Sequence, residues 1–246
     1  MGVQKNALVI GGGSGMGRAA AEALLQQGYN LHLADLAIDA CRKWAASLGP
    51  DQERAKAFPV DIASSASVAD LFSDLKNCCD RLDLMVHAAG ILGKTAFIED
   101  LADDEWRQMM RINLDGVFFC CREAVTWMKA HQSGRIILFS SVASLTPTPG
   151  ALHYSTAKGG VNMLGKTLAK EVARHNIQVN IIAPGYVETP MLDNMPDGFL
   201  NHILKKTPQG RLGTPAEIAA LVSYLASDEA GFFTGQVFSP NGGLVI

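Results

Sequence analysis

The 246-residue sequence has no apolar run long enough to span a bilayer. Its longest, such as Ile136 to Phe139, are strand-sized, against the roughly 20 residues of a spanning helix. Basic stretches are equally absent. The 21 Lys and Arg stand against 24 Asp and Glu, a net charge of −3, so nothing gathers the positive charge that a nucleic-acid backbone requires. Neither a membrane nor a nucleic acid is therefore an expected partner. Charged residues make up only 18% of the chain and hydrophobic ones 48%, which is too apolar for disorder. The five cysteines fall as Cys41, Cys78-Cys79 and Cys120-Cys121. That odd number, without a C-x-x-C pair or a His at zinc-finger spacing, offers neither a disulfide framework nor a metal site. Buried thiols in a reducing compartment are expected. Residues Met1 to Asn6 lead directly into a strand pattern, and Asn6 stands where a myristoylation signal has Ser or Thr. The expected location is the cytoplasm.

What is present is an alternation of short β-rich runs with helical stretches, the pattern of βαβ units in a parallel sheet. Strands are expected at Ala7–Ile10, Leu31–Ala34, Ala57–Val60, Leu84–His87, Arg135–Phe139, Gln178–Ile182 and Gln236–Phe238. Most lack a polar alternate face, as strands covered by helices on both sides do. Helices are expected near Gly15–Gln27, Ala37–Leu48, Ser65–Cys79, Asp104–Ala130, Tyr154–His175 and Pro215–Ala226. The fold class that follows is α/β, a single Rossmann-type, doubly wound parallel sheet over residues 1–246. One segment breaks the rhythm: residues 186–210 carry Pro190, Pro196 and Pro208 together with Met191, Leu192, Met195, Phe199, Leu200, Ile203 and Leu204. A long apolar loop inside a compact domain suits a substrate lid.

Leu8-Val9-Ile10 runs into Gly11-Gly12-Gly13-Ser14-Gly15-Met16-Gly17 and then an Ala-rich helix. Glycines let backbone approach a pyrophosphate closely, and a helix N-terminus offers it free N–H groups and partial positive charge. Asp35 follows the next strand, 18 positions past Gly17. A carboxylate there accepts the adenosine ribose hydroxyls and repels a 2′-phosphate, which favours NAD over NADP. Arg18 is the one nearby cation that could reverse this preference, and a cap on the following helix is the competing role for Asp35.

Ser141, Tyr154 and Lys158 are spaced by 13 and four residues. Positions i and i+4 share a helix face, so Tyr154 and Lys158 point to one place. A neighbouring ammonium favours phenolate, making Tyr154 the candidate general acid/base. The Ser141 hydroxyl, past the end of a strand, can hold a substrate oxygen as it gains charge. With the glycine loop, Val60-Asp61-Ile62, His87-Ala88-Ala89-Gly90, Asn113, Pro184-Gly185-Tyr186-Val187-Glu188-Thr189 and Gly242-Gly243, the whole chain resembles the short-chain dehydrogenase/reductase family. The resemblance implies that Lys158 also holds the nicotinamide ribose and that Asn113 helps relay protons through water. It further implies that Asp61 and Ile62 touch adenine, Ala88 the adenosine ribose region, and Val187 and Thr189 the carboxamide. Gly11, Gly13, Ser14, Gly15, Met16, Gly17, Ala89, Gly90, Pro184 and Gly185 complete the expected cofactor set.

The family usually has Thr in place of Ile10 and Asn-Asn in place of His87-Ala88, so hydrogen bonds between central strands are lost or remade. A hydrogen-bonded core histidine is the expectation for His87. The function that follows is hydride transfer between a nicotinamide and a secondary alcohol or its ketone, with an apolar substrate. A 3-oxoacyl thioester reductase and a catalytically silent nicotinamide-binding protein are the alternatives; His131-Gln132 and Arg174-His175 form only a thin basic patch for a carrier protein. A homotetramer is expected by resemblance. Val117, Phe118, Cys121, Val125 and Met128, at helical spacing, are either an interface stripe or a core face.

Overall fold

The computed structural model describes residues 4–193, 195 and 198–246. Seven strands form one sheet in the order β3-β2-β1-β4-β5-β6-β7, and every pairing is parallel. They are β1 (Asn6–Ile10), β2 (Asn30–Asp35), β3 (Ala55–Pro59), β4 (Leu84–His87), β5 (Gly134–Phe139), β6 (Ile177–Ile182) and β7 (Val237–Phe238). Helices fill both faces: α1 (Gly15–Gln26), α2 (Ile38–Ser47), α3 (Ser65–Lys76), α4 (Asp103–Met110), α5 (Gly116–His131), α6 (Leu152–Val172), α7 (Phe199–Lys206) and α8 (Pro215–Ala226). No helix among the described residues is long and apolar enough to cross a membrane.

The near-continuous apolar strands are explained by burial on both sides. Leu8, Ile10, Met85, Ile136 and Leu138 pack on α3, α5 and α6 through Leu71, Phe72, Val117, Cys120 and Val161. Val9, Leu33, Val86 and Ile137 face the other way, onto α1, α2 and α8 through Ala20, Leu24, Trp44, Ile218 and Val222. The chain moves outward from β1 through β2 to β3, then returns to place β4 on the other side of β1. That reversal opens a crevice at the carboxyl ends of β1 and β4, where open α/β sheets bind ligands.

Three sequence expectations change here. The single helix over Asp104–Ala130 is instead α4 and α5 joined by a wide π-type turn, Arg111–Asp115. The segment 186–210 is not a plain loop, because it contains a short turn at Pro190–Leu192 and the helix α7; Pro196 lies outside the described residues. Of the α5 stripe, Val117, Cys121, Val125 and Met128 belong to the core and only Phe118 is exposed, at 48%. The stripe is thus mainly a core face.

Candidate active site

The crevice holds a groove of about 500 Å³ lined by Gly11, Ser14, Gly15, Met16, Gly17, Asp35, Asp61, Ile62, Ala88, Ala89, Gly90 and Thr189, among others. Its glycine loop is sterically required. A Cβ on Gly17 would lie 2.1 Å from the Gly11 carbonyl oxygen, and one on Gly11, whose φ is +83°, would lie 2.6 Å from the Ala89 nitrogen. The loop therefore lies flat between α1 and the end of β4, with the N-terminus of α1 open to the groove. These residues fit a dinucleotide: a backbone cradle and a helix N-terminus for the pyrophosphate, and a carboxylate at the end of β2.

Gly13, expected among the cofactor contacts, does not line the groove. Its N–H donates to Asp35 Oδ2 at 2.9 Å, while Asp35 Oδ1 accepts from the Ala37 N–H at 2.9 Å. Asp35 thus both ties the glycine loop to β2 and caps the turn before α2. Arg18 is also committed. Its guanidinium donates to the carbonyls of Gly12, Gly13 and Ala40 at 3.2, 2.8 and 3.1 Å and stacks 4.8 Å over Trp44. Arg18 does not line the groove.

A second cavity, about 220 Å³, adjoins the groove; Met16, Thr189 and Met191 line both. Ser141 and Tyr154 face this cavity, as do Pro184, Gly185 and Val187. Lys158 lies behind it, 4% exposed, and donates from Nζ to the Phe139 carbonyl at 2.9 Å. That ammonium sits 5.9 Å from the centre of the Tyr154 ring, as one turn of α6 dictates. Burial lowers the Lys158 pKa to about 8. Burial raises that of Tyr154, the Ser141 hydroxyl pulls it back down, and Tyr186 pushes it up. The Ser140 hydroxyl, donating to the Lys158 carbonyl at 2.9 Å, locks β5 to α6.

Asn113 lies in the π-type turn and is fully buried. Its Oδ1 accepts from the Ile91 N–H at 2.9 Å and its Nδ2 donates to the Ile91 carbonyl at 2.7 Å. The extra residue of such a turn re-aims the side chain toward the strand ends, as π-bulges at functional sites do. His87 departs from expectation. It is buried, but neither ring nitrogen has a hydrogen-bond partner among the described residues. Burial first, and then the Lys158 charge, lowers its pKa to about 3.

The family described as enoyl-(acyl carrier protein) reductase matches residues 11–245. A 3-oxoacyl-(acyl-carrier-protein) reductase FabG from Chlamydia trachomatis is 34% identical over 243 residues, 98% of each chain. A 2-dehydro-3-deoxy-L-rhamnonate dehydrogenase (NAD(+)) from Sphingomonas is 34% identical over 237 residues, covering 96% of this chain and 94% of that protein. The chain belongs to the short-chain dehydrogenase/reductase family. It is an NAD(P)-dependent oxidoreductase of that family. The crystal structure of gox2181 superposes with a TM-score of 0.94 at 30% identity, covering 98% of this chain and 95% of that one.

Of the site residues named from the sequence, Ser14, Asp35, Asp61 and Ala88 are among those lining the groove, and Ser141, Tyr154 and Val187 among those lining the second cavity. Sequence reasoning missed Leu36, Ile91 and Ile112 in the groove and Leu92, Thr95 and Thr148 in the second cavity. These are apolar or small residues in irregular backbone, and nothing in their spacing singles them out.

Proposed function

We propose that this chain moves hydride between NAD(H) and a small secondary alcohol or its ketone, with Tyr154 as general acid/base. The observation that carries this reading is the convergence of Ser141 and Tyr154 on a cavity that adjoins the dinucleotide groove, with Lys158 directly behind the phenol. Bound nicotinamide supplies or accepts the hydride. Ser141 donates to the substrate oxygen and keeps it beside the Tyr154 hydroxyl. Tyr154 gives up or takes the proton, and the Lys158 charge stabilises its phenolate against the cost of burial. Lys158 would also hold the nicotinamide ribose. Asn113, held by Ile91, keeps the turn behind Lys158 in place and takes part in the proton relay.

Asp35, with Arg18 outside the groove lining, supports NAD over NADP. The cavity of about 220 Å³ is below the roughly 300 Å³ of drug-sized pockets, which supports a small and largely apolar substrate. Residues 1–246 act as one catalytic domain with 186–210 as its lid, in a cytoplasmic homotetramer that uses the exposed Phe118 and Met163. A 3-oxoacyl thioester is the second reading, favoured by the FabG relative.

The test is NADH production from a panel of linear and cyclic secondary alcohols, run beside oxidation of NADH and NADPH by acetoacetyl-CoA. Tyr154→Phe should lower turnover by about 10²–10⁴ while NADH affinity stays within a few fold, because the ring is kept. Activity within tenfold of the parent removes Tyr154 from its role, and no turnover of any substrate leaves the silent binder.

A further inference from the structure

Ser144 and Asn162 line neither cavity, yet they bond to the backbone that carries Ser141. Ser141 precedes the turn Val142–Ser144, and its Oγ accepts from the Ala143 N–H inside that turn at 3.2 Å. The place of the hydroxyl therefore follows the place of the turn. Ser144 closes the turn twice, with its N–H donating to the Ser141 carbonyl at 2.9 Å and its hydroxyl donating to the same oxygen. Asn162 in turn donates from Nδ2 to Ser144 Oγ at 2.8 Å. It stands on α6 one helical turn past Lys158, so it joins the Ser141 turn to the helix that carries the phenol and the ammonium.

Packing alone does not account for Asn162. The residue is 8% exposed, and its Oδ1 is buried with no hydrogen-bond partner among the described residues. An apolar side chain of similar size would leave no carbonyl unsatisfied. What the amide adds is an N–H on the Ser144 oxygen. A serine hydroxyl has one proton and rotates, and here Ser140 Oγ, 3.1 Å away, competes with the Ser141 carbonyl for it. The Ser140 proton is itself used on the Lys158 carbonyl.

We propose that Ser144 and Asn162 are positioning residues for Ser141, holding its turn against α6 so that the Ser141 hydroxyl meets the substrate oxygen beside Tyr154. This rests on the oxidoreductase reading above, in which Ser141 touches the substrate.

The test is a double-mutant cycle. Oxidation of the panel of secondary alcohols by NAD⁺ is measured for the parent, Ser144→Ala, Ser141→Ala and the double variant. Ser144→Ala should lower kcat about tenfold or more, as a misplaced group at a reacting centre does, with NADH affinity unchanged. In the Ser141→Ala background the same substitution should change kcat by less than about twofold, because the group it positions is gone. Asn162→Leu should show the same dependence on Ser141. A loss as large without Ser141 as with it marks a general structural role and overturns the proposal, as does a Ser144→Ala protein with parental kcat. Ionisation of Tyr154, read as tyrosinate absorbance against a Tyr154→Phe reference, reports the same geometry without turnover. The Ser141 hydroxyl pulls the Tyr154 pKa down, so Ser144→Ala should raise it in the parent and leave it unmoved in Ser141→Ala. If no alcohol is oxidised, the oxidoreductase reading fails and the titration decides alone: a Tyr154 midpoint that Ser144→Ala leaves unmoved in the parent overturns the proposal, and the expected rise supports it.

Discussion

Gly90 packs against the buried cluster behind the candidate active site, and its replacement by alanine has a calculable effect. A Cβ at this position would lie 2.5 Å from Asn113 Oδ1 and 3.3 Å from Lys158 Nζ. Neither neighbour can yield freely, because Asn113 is paired twice with Ile91 and Lys158 is held on the Phe139 carbonyl. Gly90→Ala therefore displaces the Asn113 amide. Two hydrogen bonds at about 1 kcal/mol each, and a buried amide left unpaired at about 1–3 kcal/mol, bring the loss to about 3–5 kcal/mol. For a chain of this size that lowers the melting temperature by roughly 6–20 °C. Displacing Lys158 should also cost about 10²-fold in kcat, the usual result of a small misplacement at a reacting centre. Circular dichroism melts and steady-state kinetics read the two effects. Gly159→Ala is the control. It lies on the adjoining α6, a Cβ there meets nothing within 4 Å, and alanine in a helix interior should leave stability unchanged or raise it by up to about 1 kcal/mol. A Gly90→Ala protein that melts within about 2 °C of the parent with full activity would refute the reasoning.

Asp35→Ser should narrow the preference for NAD over NADP, since it removes both the ribose acceptor and the repulsion of a 2′-phosphate; kcat/KM with each cofactor checks it, and a parent that prefers NADP ends the argument. Burial lowers the pKa of His87 to about 3, and burial followed by the Lys56 charge lowers that of His32 to about 4, from 6.5. The unfolded chain then binds more protons between those values, so stability is full above pH 6.5 and falls as pH drops through about 4 and 3. Urea midpoints across that range should flatten in a His32→Gln, His87→Gln double variant, and a parallel decline in both proteins would exclude these histidines as the cause. Phe199→Asp should raise KM for hydrophobic ketones more than for glycerol-like substrates, with NADH affinity little changed; an equal loss on both groups would remove Phe199 from the lid.

The strand series, the glycine loop and the pairing of Tyr154 with Lys158 were legible in the sequence because each depends on local geometry. A parallel strand buried on both faces reads as an apolar run, a strand that turns directly into a helix against a neighbouring backbone reads as glycine, and one helical turn separates residues i and i+4. Tertiary structure alone decided what depends on partners distant in the chain. Arg18 looks free beside the glycine loop until three backbone carbonyls and Trp44 are seen to hold it. The stripe on α5 could serve a partner or a core, and only the packing of β4 and β5 beneath it chose the core. Asn113 sits within an apparently unbroken helical pattern. The π-type turn that aims it at Ile91 costs regular helix hydrogen bonds and is recovered through two backbone contacts 22 residues away in sequence, which no local periodicity encodes.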